Sequence, residues 1–152
     1  MDSIERQREQ VVKFLSALGT HDWDGAVESF TGSAPTFEDV PSNTRFTGKA
    51  GIVDALQAFA KAVPDLRIQV SSAIDSPGCS VRELVIIGTH LGSYQAERAS
   101  GRSVRIACAC FFLFDANGRL ATERIYFDND TVLRQMRGDL QPYLPSPLRL
   151  AA

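Results

Sequence analysis

A chain of 152 residues suits one hydrophobic core, since a single core serves about 100 to 200 residues, and it leaves no room for a second catalytic domain. Hydrophobic residues at 44% and charged residues at 22%, with only 11 glycines and 7 prolines, exclude disordered, collagen-like and disulfide-scaffold proteins. The 16 Lys and Arg against 18 Asp and Glu give a net charge of -2 with no long block of either sign, which argues against nucleic acid or a membrane surface as partner and leaves a small molecule or a protein.

The chain opens with Asp2 followed three residues later by Glu5, the pattern of a capping box. Val11, Phe14, Leu15 and Leu18 then place an apolar stripe along a helix that Gly19 ends. Charges at Asp2, Glu5, Arg6, Arg8, Glu9 and Lys13 leave no uncharged stretch for a secretory signal, so a cytoplasmic location is expected. A second short helix starts at Asp22 and buries Trp23, Ala26, Val27 and Phe30; the same base rates that put apolar helix faces in cores make Trp23 a core residue. Residues 35 to 40 form a short strand, Pro41, Ser42 and Asn43 a loop, and Gly48 opens a third helix with Ile52, Leu56, Phe59 and Val63 on one face.

Pro64 stops that helix and the period changes to two. Leu66, Ile68 and Val70 alternate with polar residues, and Ser76, Pro77 and Gly78 turn the chain into a strand over 81 to 91. A polar loop over 92 to 101 precedes a long strand over 102 to 114. An Asn-Gly turn at 117 and 118 returns a last strand over 119 to 127, and a helical turn follows over 131 to 137. Helices first and an antiparallel meander afterwards predict an α+β fold in a single domain over 1 to 152. Val104, Ile106, Cys108, Cys110, Phe112 and Phe114 are apolar, but so are Ala107, Ala109, Phe111 and Leu113. One helical layer covers one face of such a sheet, so a homodimer through the other face is expected.

Three cysteines cannot all pair within the chain, and the Cys108 and Cys110 spacing puts both on one side of a strand with Cα atoms about 6 to 7 Å apart, which fits a reducing compartment. The same pair lacks the spacer of a zinc site, so no metal is expected. The longest apolar run, 106 to 114, is far shorter than the roughly 20 residues of a membrane helix.

Four stretches carry a family resemblance: His21-Asp22-Trp23-Asp24, Pro64-Asp65-Leu66-Arg67-Ile68, Gly88-Thr89-His90-Leu91-Gly92, and Glu123-Arg124-Ile125-Tyr126-Phe127-Asp128 with Leu133-Arg134-Gln135. In this order the chain resembles the SnoaL-like polyketide cyclases of the NTF2-like, ketosteroid-isomerase-type superfamily. The resemblance implies a cone of helices and a curved, mainly antiparallel sheet around an apolar pocket. It also implies an enzyme without cofactor that closes a ring on a hydrophobic polyketide-like carbonyl compound by intramolecular aldol condensation, in secondary metabolism. Where the family usually has an apolar loop, residues 93 to 100 read Ser-Tyr-Gln-Ala-Glu-Arg-Ala-Ser, a more polar lid.

Asp128 matches the family's acid/base aspartate. Partial desolvation at the end of an apolar strand would raise its pKa toward the range useful for proton transfer, whereas a cap on the following helix is the competing reading. His90, at a strand end between Gly88 and Gly92 where backbone can approach a ligand, is the second catalytic candidate, expected to share a ligand with Asp128. Phe112 and Tyr126 are expected to line the pocket. Arg124, on the same strand face as Asp128 and opposite Glu123, is a candidate for orienting an anionic group, against the competing reading of a solvated or interface residue. Two further classes stay open: a non-catalytic protein that binds a hydrophobic small ligand, and an isomerase, dehydratase (lyase) or epoxide hydrolase on the same fold.

Overall fold

The computed structural model describes residues 2–142. Helix α1 (Ser3–Gly19) begins with the expected capping box, Asp2 accepting from the Glu5 amide while Glu5 accepts from the Asp2 amide, and buries Val11, Phe14 and Leu15. Helix α2 (Trp23–Glu28) starts on the Asp22 carboxylate, which accepts from the Gly25 amide. Trp23 is half-buried against the core and stacks on His21 at 5.4 Å. Helix α3 is Gly48–Ala62, and α4 is Asn129–Arg137.

The strands are β1 (Thr36–Asp39), β2 (Thr44–Thr47), β3 (Arg67–Ser76), β4 (Cys79–Thr89), β5 (Ser103–Phe114) and β6 (Leu120–Tyr126). They form one curved sheet in the order β2-β1-β6-β5-β4-β3. The meander β3 to β6 follows the sequence reading. Residues 44 to 47 add a strand that reading did not contain, and β1 pairs with β6 in parallel, Phe37 opposite Glu123 and Asp39 opposite Ile125. The α+β cone is therefore as expected, with one parallel pair in an otherwise antiparallel sheet.

The helical layer fixes which face of the sheet is the inside. On β5 the positions Val104, Ile106, Cys108, Cys110 and Phe112 are buried, and Phe14 of α1 sits edge-on to both Phe112 (5.8 Å) and Phe30 (5.4 Å). Full burial of one such ring stabilises by about 1.5–3 kcal/mol. The outward positions Arg105, Ala107, Ala109, Phe111 and Leu113 all keep some exposure. β6 pairs with β5 only as far as Ala109 and Tyr126. Past that point α4 runs along the β5 edge: the Gln135 side chain accepts from the Arg105 amide (2.8 Å) and donates to the Arg105 carbonyl (2.9 Å). A strand edge is thus satisfied by a side chain in place of another strand. Among the described residues no helix is long and apolar enough to cross a membrane.

Candidate functional site

The inner face of the sheet, α3 and the loop after β4 enclose a cavity of about 380 Å³. Its walls are mostly apolar, from Phe37, Phe46, Phe59, Ile86, Ile106 and Phe127, and Ser93, Tyr94 and Gln95 of the polar loop close one side. That loop is tied to α4 by side chains. The Tyr94 hydroxyl donates to Asn129 Oδ1 at 2.7 Å, Asn129 Nδ2 donates to Gln95 Oε1 at 3.1 Å, and Arg137 pairs with Glu97 at 2.6 Å.

Two carboxyl groups belong to this cavity. Strand alternation sends Glu123 and Ile125 inward on β6, and their β1 neighbours Phe37 and Asp39 inward beside them. Glu123 and Asp39 therefore stand at diagonal positions of adjacent strands, with backbones roughly 8 Å apart. Glu123 is fully buried, and its Oε2 has no hydrogen-bond partner. Burial pushes its carboxyl up to about 8, with the neighbouring Cys110 thiol, a hydrogen-bond partner, pulling the other way. A carboxyl raised this far favours the protonated form at neutral pH, at the wall of an apolar chamber. Asp39 is half-buried, accepts from the Ser42 amide at 3.2 Å, and is in no ion pair among the described residues. Together with burial, its negative charge pushes the Tyr94 hydroxyl up to about 12.

The residues singled out from sequence lie elsewhere. None of Asp128, His90, Phe112, Tyr126 and Arg124 is among the cavity-lining residues. Asp128 is exposed, and its carboxylate caps α4, accepting from the Asp130 amide (3.1 Å) and the Thr131 hydroxyl (2.7 Å). The expected desolvation is corrected: these hydrogen bonds, the Thr131 hydroxyl first, hold the carboxyl below its ordinary value. The same outward phase puts Tyr126 on the opposite face, 42% exposed and edge-on to Phe111, and takes Arg124 to Glu38 at 2.7 Å. Asp128 and Tyr126 border an open groove there with Glu83, Ala107 and Ala109. Phe112 does face inward, but under α1, where Phe14 covers it.

His90 is buried, continuing β4 to a position level with Arg102. Asp128 extends β6 to a position level with Ala107, so the two are offset by about 17 Å along the strands and lie on opposite faces. The structure does not bring them to one ligand. His90 Nδ1 accepts from the Ser100 amide at 3.3 Å and lies 2.9 Å from Ser100 Oγ, so the histidine braces the end of the polar loop. Gly88 and Gly92 leave room for the end of α3 and not for a ligand: a Cβ at either would strike Val63 or the Lys61 carbonyl.

Glu123 and Asp39 were missed because a strand's period gives the phase of its side chains but not which face is concave. The available signal was a carboxylate inside an apolar row, Glu123 with Ile125 and Phe127, and Asp39 with Phe37. The placement of Asp128 carries its own expected result. Asp128→Ala lowers the melting temperature, Asp128→Asn, which can still cap, holds it near wild type, and neither alters ligand binding in the cavity; thermal melts and a binding titration on both variants check this.

A cone closed by helices, with a carboxyl-bearing apolar chamber, defines a protein of the NTF2-like fold. Over residues 9–136 the chain matches the family model of the SnoaL-like polyketide cyclases, and it belongs to that family. It is similar in fold to a candidate SnoaL-like polyketide cyclase from Jannaschia sp. CCS1, at 16% identity and TM-score 0.81 over 90% of this chain and 94% of that one. AclR, a candidate hydroxylase from Streptomyces galilaeus, aligns at 15% identity and TM-score 0.75 over 93% and 86%. A candidate SnoaL-like polyketide cyclase from Shewanella putrefaciens CN-32 aligns at 20% identity and TM-score 0.75 over 87% and 96%. No curated protein sequence matches the chain significantly.

Proposed function

We propose that the protein is an acid/base enzyme acting on a hydrophobic, polyketide-like carbonyl compound, with Glu123 as the proton-transferring group. One observation carries this reading: a fully buried carboxyl with an unpartnered oxygen in the wall of an apolar cavity. The ionised form of Glu123 takes the proton from the carbon beside the substrate carbonyl, and the carboxylic acid so formed returns that proton to the acceptor carbonyl's oxygen as the new carbon–carbon bond forms. A pKa of about 8 lies near working pH, so the group both gives and takes protons readily. The cavity size is within the range that holds small organic ligands, about 300–1,000 Å³. Exclusion of water strengthens the hydrogen bond and keeps a nascent enolate from quenching before the ring closes. Family membership favours intramolecular aldol cyclisation over simple isomerisation or dehydration.

Deuterium uptake at the carbon beside the carbonyl of a bicyclic ketone, followed by NMR in heavy water, tests the reading. Catalysed uptake that vanishes in Glu123→Gln supports it; uptake no faster than in buffer refutes it and leaves a hydrophobic ligand-binding role.

The outer sheet face, where Phe111 and Tyr126 pack together in partial exposure, supports a homodimer formed through it. Sedimentation at micromolar concentration is expected to give a dimer that Phe111→Glu dissociates; a wild-type monomer would contradict this.

A further inference from the structure

Asp39 has no part in the proton transfer assigned to Glu123, yet its surroundings are specific. Along the same strand face lies Phe37, whose ring is 5.9 Å from that of Phe46, and Tyr94 stands close enough for the Asp39 charge to act on its hydroxyl. Tyr94 in turn is edge-on to Phe59 at 6.1 Å. All five residues line the cavity, and among its lining residues there is no lysine, arginine or histidine. A carboxylate among aromatic rings, with no internal cation, attracts a positive group twice over, by its charge and by the negative faces of the rings. Beside this wall the fully buried Oε2 of Glu123 meets no partner, and an orphaned buried polar atom costs stability unless something meets it.

We propose that the Asp39 wall of the cavity is a subsite for a protonated amine, so that the ligand is a hydrophobic molecule carrying a basic nitrogen with a hydrogen-bond acceptor close by. This rests on the cavity being the substrate site. The acceptor meets Glu123, the ammonium meets Asp39 on the neighbouring strand, and the apolar body fills the rest of the chamber. A carboxylate ligand is repelled by the Asp39 charge and finds no cation among the lining residues.

Calorimetric titration at neutral pH with three probes of one shape, naphthylmethylamine, naphthylmethanol and naphthoate, tests the subsite. The amine is expected to bind about tenfold more tightly than the alcohol, and naphthoate more weakly than either. Asp39→Asn, which keeps an acceptor for the Ser42 amide, brings amine and alcohol to equal affinity, and Asp39→Glu restores the preference. Glu123→Gln still binds the amine more tightly than the alcohol, so loss of ketone exchange in that variant and loss of amine preference in the Asp39 variant are separate outcomes. Equal affinity of amine and alcohol for the wild type, a preference that survives in folded Asp39→Asn, or no binding of the amine at millimolar concentration would overturn the proposal.

Discussion

Glu123→Gln is expected to lower ketone proton exchange by about 10²- to 10⁴-fold, the usual contribution of a positioned general acid/base, while the melting temperature at pH 7 stays close to wild type. At that pH the buried carboxyl is held protonated by desolvation, so the amide replaces one neutral planar group with another of the same shape. Glutamine can still accept from the Cys110 thiol, but it exchanges no proton near neutrality. Exchange rates and thermal melts on the same preparation separate this from a packing effect. A purely structural Glu123 would show the reverse, unchanged exchange with altered stability.

The second large effect is on stability against pH. The folded protein holds the Glu123 proton up to about pH 8, whereas an unfolded glutamate releases it near 4.5. Between these values the native state binds the extra proton, so unfolding free energy falls as pH rises, and it levels off above the folded pKa. A shift of this size corresponds to about 4–5 kcal/mol across the window, on the scale of about 1.4 kcal/mol per pKa unit. Asp128, with its carboxyl lowered, acts in the opposite direction and at lower pH, below the window where Glu123 dominates. Chemical denaturation at a series of pH values should therefore show a decline from pH 5 to 8 in the wild type that Glu123→Gln abolishes.

What the sequence made legible follows from how local each signal is. The α1 stripe of Val11, Phe14 and Leu15, the caps at Asp2 and Asp22, and the β3 to β6 meander are set by spacings of a few residues, and the structure has them. The helix-cap reading of Asp128 was also available from residue type alone, and that is the role its carboxylate fills. The opposed phases of Arg124 and Glu123 were equally readable, and their burial follows them. Their consequence was not. β5 is apolar on both faces, so only the packing of Phe14 on Phe112 decides that Glu123 shares the concave side. The pairing of β1 with β6 joins residues 86 apart, as in the 2.7 Å contact between the Thr36 and Thr122 hydroxyls, and no periodicity announces it. Asp39 enters the cavity only through that pairing.

The proposed chemistry requires Glu123 to keep its proton inside the cavity up to neutral pH. Difference infrared spectroscopy between wild type and Glu123→Gln, titrated with pH, tests it most directly, because a protonated carboxyl has a carbonyl stretch that a carboxylate lacks. The Glu123 carboxyl band is expected to persist through neutrality and to disappear with a midpoint near pH 8. A band that titrates in the ordinary glutamate range, near pH 4.5, would contradict it.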